Sequence, residues 1–191
     1  MRSLLAPFLL APAALLLAPS AHAQFLSVYG TFSPTHLSSV QTGVNSTNQE
    51  QYASFWAYGV GGGATVGLIP LGPIRLGADF RGSTKPGTSG ADTFLVGLKL
   101  GIRLPFINLK PYVQGSVGYL ATRTPNFSIA ASTFTNQYLA YEIFGGIDYQ
   151  LVHFVDLRII EIGGGQGIPI GIGSSPNASL LTVSTGVVLH F

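Results

Sequence analysis

Residues Thr93–Arg103 read Thr-Phe-Leu-Val-Gly-Leu-Lys-Leu-Gly-Ile-Arg. Phe94, Val96, Leu98, Leu100 and Ile102 take every second position, and Thr93, Leu95, Gly97, Lys99, Gly101 and Arg103 fill the places between. A period of two belongs to a β-strand, whose successive side chains point to opposite faces. One face is apolar throughout, and the other is mostly small, polar or charged. The pattern recurs along the chain. Ile74, Leu76, Ala78 and Phe80 alternate with Arg75, Gly77, Asp79 and Arg81. Leu139, Tyr141, Ile143, Ile147 and Tyr149 alternate with Ala140, Glu142, Gly146 and Asp148. Leu181, Val183, Val187, Leu189 and Phe191 alternate with Thr182, Ser184, Gly186 and His190. Looser alternation runs through Tyr112–Tyr119 and Val155–Ile159. With a Gly-rich strand near 53–68 and a first strand near 25–32, the count is eight. An even number lets an antiparallel barrel close with both termini at one end.

The connections separate a membrane barrel from a sandwich. Those near 69–73, 105–110 and 150–153 are short and rich in Pro or Gly, whereas those near 33–51, 83–91, 122–136 and 165–178 are longer and polar. Short and long connections alternate, as tight periplasmic turns and longer extracellular loops do in a transmembrane barrel. On that frame Trp56, Tyr58, Tyr119 and Tyr141 lie on apolar faces near the outer rim, and Tyr149 and Phe191 near the inner rim. Two aromatic girdles around an aliphatic band suit the two membrane–water interfaces.

Composition agrees. Of 191 residues, 9 are Lys or Arg and 7 are Asp or Glu, 8% charged in all, against about 25% in an ordinary soluble domain. With 47% apolar residues and a net charge of +2, the chain is the reverse of a disordered one. No cysteine is present, which excludes a disulfide scaffold and Cys-based metal or redox chemistry. The isoelectric point near 9.0 reflects a surplus of two charges rather than a basic patch, so a nucleic-acid partner is not expected. Arg2 precedes the apolar run Leu4–Leu17, which Ala21-His22-Ala23 follows. That is the order of a secretory signal peptide, cleaved before Gln24. The predicted organisation is a signal peptide over 1–23 and one barrel domain over 24–191.

By parity, Arg75, Asp79, Arg81, Lys99, Arg103, Glu142, Asp148, Asp156 and Arg158 face the barrel interior. Eight strands enclose a space that side chains just fill, so these charges are expected to pair into a plug. A narrow pore lined by them is the alternative. Gly59, Gly61, Gly63 and Gly67 also face inward, which makes room for long cations. Glu161 breaks the pattern. Strict parity after Ile159 turns it toward lipid, unless it reaches the outer interface or a β-bulge turns it inward. The rival to the barrel is a membrane helix over Gln51–Ile74, 24 residues without charge; Gly61-Gly62-Gly63, Pro70 and Pro73 argue against it.

Catalytic constellations are thin. His36, His153 and His190 follow the leader, and no two share a strand at metal-ligand spacing. None sits next to a Ser on the same strand face, so neither an enzyme nor a metal or cofactor site is expected. The sequons at Asn45, Asn126 and Asn177 read as polar loop.

The end of the chain, Leu181-Thr-Val-Ser-Thr-Gly-Val-Val-Leu-His-Phe191, resembles the C-terminal strand of bacterial outer-membrane proteins in Gly186, Val187, Leu189 and Phe191. Together with the leader and eight strands, the chain is similar to the small outer-membrane β-barrel family of the OmpA transmembrane domain and OmpX type. The resemblance implies a stand-alone eight-stranded antiparallel barrel in a Gram-negative outer membrane. It also implies outer-membrane lipid and lipopolysaccharide as surroundings and the barrel-assembly machinery as a partner in biogenesis. A structural or surface-interaction role is the expectation, with small-solute conduction or lipid modification as alternatives. No residue names a partner for the external loops.

Overall fold

Residues 93–102 lie in β6 (Gly90–Ile102), between β5 (Ile74–Lys85) and β7 (Leu109–Pro125). The computed structural model describes residues 26–44, 50–104, 106–125, 133–170 and 176–191. The leader at 1–23 and the sequons at Asn45 and Asn126 lie outside the described residues. The remaining strands are β1 (Leu26–Phe32), β2 (Thr35–Val44), β3 (Glu50–Ala57), β4 (Val60–Leu71), β8 (Thr133–Val152), β9 (Val155–Pro169) and β10 (Ala178–His190). There is no helix among the described residues. Residues 51–74, the candidate membrane helix, instead run through β3 and β4.

Eight strands close a ring in the order β1-β4-β5-β6-β7-β8-β9-β10, with β10 returning to β1 and every pairing antiparallel. Closure leaves no edge in the ring, and every ring strand finds its ladder partners within the protein. The other two strands correct the expected loop at 33–51. β2 continues β1 along β10, pairing Thr35 with Thr182 through Ser38 with Ser179, and β3 folds back on β2. The breaks fall at Ser33-Pro34 and Tyr58-Gly59, where the Ser33 N–H donates to the Gly59 carbonyl at 2.9 Å. Pro34, lacking an N–H, cannot continue the ladder on both sides. The other long loops also contract, to 86–89, 126–132 and 170–177. Polar residues at these strand ends concealed pairing that runs beyond the apolar band. The inner connections fall at 72–73, 103–108 and 153–154, and the one at 103–108 is longer than the outer connection at 86–89, so the expected short-and-long alternation does not hold there.

Faces follow parity. Val96, Leu98, Leu100, Val113, Val117, Ile143 and Leu189 are exposed on the outside. Trp56, Tyr58, Tyr119, Tyr141, Tyr149 and Phe191 also point outward and are exposed. Tyr149 pairs with Leu109 and Leu157 beside the inner turns, and the Phe191 N–H donates to the Leu26 carbonyl at 2.9 Å. Trp56 is level with the β2 extension, its ring 5.1 Å from that of His36 and 6.5 Å from that of Tyr58.

The interior is layered. Leu37, Val40, Leu95, Leu120, Tyr138, Phe144 and Leu180 form an apolar cluster toward the outer end. β2 reaches it by touching β7 and β8 across the ring. The bend comes where Leu37 opposes Phe55 and Val40 opposes Ala53, leaving an extra residue in β2; there Ser39 takes a left-handed φ of 62°. A bulge of this kind bends its strand, here over the barrel mouth. Inward of the apolar layer lies a polar, charged one. Its aromatic rings need close approach to the facing wall, and glycine supplies it. A Cβ on Gly146 would stand 2.5 Å from the Tyr112 ring, and one on Gly63 would stand 2.5 Å from the Tyr29 hydroxyl.

Candidate functional site

The charged layer is assembled from strands on all sides of the ring. Asp79 on β5 accepts from the Tyr29 hydroxyl at 2.8 Å, Thr65 Oγ1 at 2.7 Å, Gln114 Nε2 at 2.7 Å and Arg81 Nε at 3.2 Å. Arg81 then crosses the lumen. Its Nη1 and Nη2 donate to Glu161 Oε1 and Oε2 at 3.0 and 3.1 Å, and Nη2 also donates to Gln114 Oε1 at 2.9 Å. Glu161 further accepts from the Tyr112 hydroxyl at 2.7 Å, Ser184 Oγ at 3.0 Å and Arg158 Nη1 at 3.3 Å. Arg158 Nε donates to Asp148 Oδ1 at 3.0 Å, and Lys99 Nζ to Asp148 Oδ2 at 3.3 Å. The guanidinium of Arg158 lies 4.6 Å from the Tyr29 ring centroid and 5.0 Å from that of Tyr112. Its Nη2 is buried without a hydrogen-bond acceptor among the described residues. Glu142 sits higher in the barrel and accepts from Thr182 Oγ1 at 3.2 Å.

Thus Asp79, Arg81, Lys99, Glu142, Asp148, Asp156 and Arg158 lie inside the ring. Arg75 and Arg103 differ from expectation. Both are exposed and line the inner mouth, because Arg75 is the second residue of β5 and Arg103 follows the end of β6. Parity assigns a face; it does not say where the rim opens to water. Glu161 is inward and 1% exposed. In β9, Ile160 opposes Ile147 while Arg158 opposes Asp148, so Ile159 is an extra residue. Ile159 and Ile160 consequently both face outward, and the bulge reverses parity for Glu161.

Other members of the layer were missed. Lys85, which falls within the connection expected near 83–91, instead ends β5 with 2% exposure, and its Nζ donates to Ser83 Oγ at 2.6 Å. Lys110 donates to both Asp156 oxygens at 2.9 and 2.7 Å. Tyr29, Tyr112 and Gln114 had inward parity as their one signal.

The inner mouth holds an arrangement that strand-by-strand inspection could not find. Ser27 and His190 are cross-strand partners on β1 and β10. Ser27 Oγ lies 2.7 Å from His190 Nδ1, and His190 Nε2 lies 2.6 Å from Asp156 Oδ2. With Nε2–H donating to the carboxylate, a neutral ring leaves Nδ1 to accept from the serine hydroxyl. This is the connectivity of nucleophile, base and orienter. The backbone N–H groups of His190 and Phe191 are already spent on Phe154 and Leu26 carbonyls and supply no oxyanion donors. Among the described residues no group of three His, Asp or Glu side chains is placed to hold a metal ion.

No protein-family model and no curated protein sequence matches the chain. Solved structures do. The attachment invasion locus protein Ail of Yersinia pestis aligns over 88% of this chain and 99% of its own, at 7% identity and a TM-score of 0.51. Neisserial surface protein A aligns over 86% and 97%, at 14% identity and a TM-score of 0.48. The N-terminal β-barrel domain of Pseudomonas aeruginosa OprF aligns over 82% and 96%, at 12% identity and a TM-score of 0.42. At such identities the likeness concerns the fold alone. The chain has the all-β, antiparallel fold of the small eight-stranded outer-membrane β-barrels.

Proposed function

We propose that the chain is a β-barrel of a bacterial outer membrane with a structural or surface-interaction role, its interior plugged by paired charges, and that it is not an enzyme. The observation that carries this reading is the Arg81–Glu161 pair across the lumen, with Asp79, Gln114, Tyr112 and Arg158 filling the same level. An ion passing this level would have to separate a bidentate pair held on both sides by further hydrogen bonds. The apolar cluster above it adds a second barrier.

The surface role rests on strand length. Crossing the bilayer takes about 9–11 residues, whereas β7, β8 and β9 have 17, 20 and 15. With tight turns at the inner rim, the excess projects outward as paired sheet, joined by the β2–β3 hairpin. The test is conductance of the refolded barrel across a planar bilayer. No unitary current is expected from the native protein. Steady current abolished by Arg81→Ala would replace the plug with a narrow channel.

The Ser27–His190–Asp156 chain favours a second reading, an ester- or lipid-hydrolysing barrel. It ranks second because the serine faces the lumen mouth rather than lipid and lacks evident oxyanion donors. Lipid A and phospholipid profiles that change on expression, and revert with Ser27→Ala, would promote it.

A further inference from the structure

Turns that meet water are built mainly from Gly, Pro, Asn, Asp and Ser. Gly72-Pro73, between β4 and β5, fits that rule. The other two inner connections do not. Phe106, between β6 and β7, is 98% exposed, and Ile107 beside it and Leu151 and Val152 at the end of β8 are each half exposed or more. These four form one patch. The Gln150 N–H donates to the Asn108 carbonyl at 2.8 Å and Tyr149 pairs with Leu109, so the two connections lie side by side. The four stand apart from the residues that line the inner mouth. A contiguous exposed apolar patch marks a contact surface.

The outer wall of the barrel indicates what covers it. Ile147, Tyr149 and Leu151 take alternate positions of β8 and are all exposed, so Leu151 continues the outward apolar row past the inner girdle. Ile107 holds the same parity on the neighbouring strand, just before Leu109. The row on β8 includes Tyr141 of the outer girdle. From Tyr141 to Tyr149 is roughly 20 Å along the barrel axis, at about 3.3 Å per residue and a tilt of about 40°. The apolar band of an outer-membrane barrel is about 25 Å tall. A band that ends at Tyr149 falls short, and one that ends at Leu151 reaches about 25 Å. Residues 104–109 and 149–154 contain no Lys, Arg, Asp or Glu to hold the patch in water, and His153 lines the mouth instead.

We infer that this patch is a lipid-binding surface, with Phe106, Ile107, Leu151 and Val152 seated in the interfacial layer of the inner phospholipid leaflet, beyond Tyr149. The inference rests on the proposed outer-membrane setting and adds the depth of the inner rim within it. Aromatic and aliphatic side chains leave water at that depth, while the polar backbone of the turns stays among hydrated headgroups. The two connections then act as an anchor that fixes the barrel's depth, and the mouth opens at the level of the headgroups.

The test places a fluorescent reporter at the patch in the barrel refolded into phosphatidylcholine vesicles. Phe106→Trp is made in a Trp56→Phe background, which removes the single native tryptophan. Leu98→Trp in the same background marks the exposed outer wall. Folding of each variant is checked by heat-dependent gel mobility, and Leu151→Trp reads the same patch if Phe106→Trp does not refold. The emission of Phe106→Trp is expected to shift to the blue on insertion, to be quenched by lipid carrying a nitroxide on its headgroup, and to be shielded from aqueous iodide. Leu98→Trp is expected to be quenched by lipid brominated on its acyl chains. A water-like, iodide-accessible spectrum for Phe106→Trp beside a lipid-quenched Leu98→Trp overturns the lipid surface, leaves the membrane barrel standing and assigns the patch to a protein partner. A folded barrel quenched by lipid at neither position overturns the outer-membrane reading as well.

Discussion

Arg81 and Glu161 stand 80 positions apart in sequence and face each other from β5 and β9, strands diametrically opposite in the eight-membered ring. Their bidentate contact, at 3.0 and 3.1 Å, is the tie across the lumen on which the rest of the charged layer is hung. Buried charges of this kind stabilise only as a set. Each ion loses its hydration, and the partners replace it only when all are present.

Glu161→Gln is accordingly expected to cost about 3–5 kcal/mol, because Arg81 and Arg158 remain buried with less compensation. Arg81→Met with Glu161→Leu together should cost less than the sum of the two single changes, since the double change strands neither member of that pair, although Asp79 still loses Arg81 and Arg158 still loses Glu161. Denaturant midpoints in detergent, followed by the fluorescence of Trp56, the single tryptophan, measure this. Additive losses would show that the two residues do not act as a pair.

Gly146→Ala is expected to destabilise by about 1–3 kcal/mol. Its new Cβ would meet the Tyr112 ring 2.5 Å away and push the hydroxyl off Glu161. Gly115→Ala is the control, because a Cβ there has no neighbour within 4 Å. Equal midpoints for the two variants would remove the ring-over-glycine contact from the account.

Ser39 holds a left-handed φ of 62° at the bend of β2. Ser39→Gly should relieve a strain of about 1–2 kcal/mol. Ser39→Val should loosen the β2–β3 hairpin, because a β-branched side chain tolerates this region poorly. Amide hydrogen exchange along 35–57 reads the outcome, slower in the first variant and faster in the second. The same rates in both would mean that the bend does not depend on this residue.

The outer face should behave as a lipid-facing surface with a depth profile. Val113 lies between the inner turn and Tyr119 and is exposed, and Ile102 is the last residue of β6 beside the inner rim. Val113→Arg is expected to cost about 2–4 kcal/mol in refolding into lipid bilayers, and Ile102→Arg about 0–1 kcal/mol. A flat profile would argue against a membrane around this band.

The sequence by itself determined the period-two strands, the count of eight in the ring and the face of nearly every residue. Those properties are local: parity along one strand sets the face, and polar or Pro-rich breaks set the turns. Asp79, Arg81, Lys99 and Arg158 were legible as interior on that ground. Tertiary structure alone decided the rest, because it depends on how separate strands register. The extra residue at Ile159 turns Glu161 inward, and no rule within β9 announces it. Ser27 meets His190 because β1 closes against β10, the first and last of the described strands. β2 caps the mouth because Ser39 bends it there, in a segment whose polar composition reads as loop. Arg75 and Arg103 share the inward parity of Asp79 and Lys99, yet stand exposed at the opening. Position along the barrel axis, which parity does not contain, separates a charge locked in the plug from one that meets water.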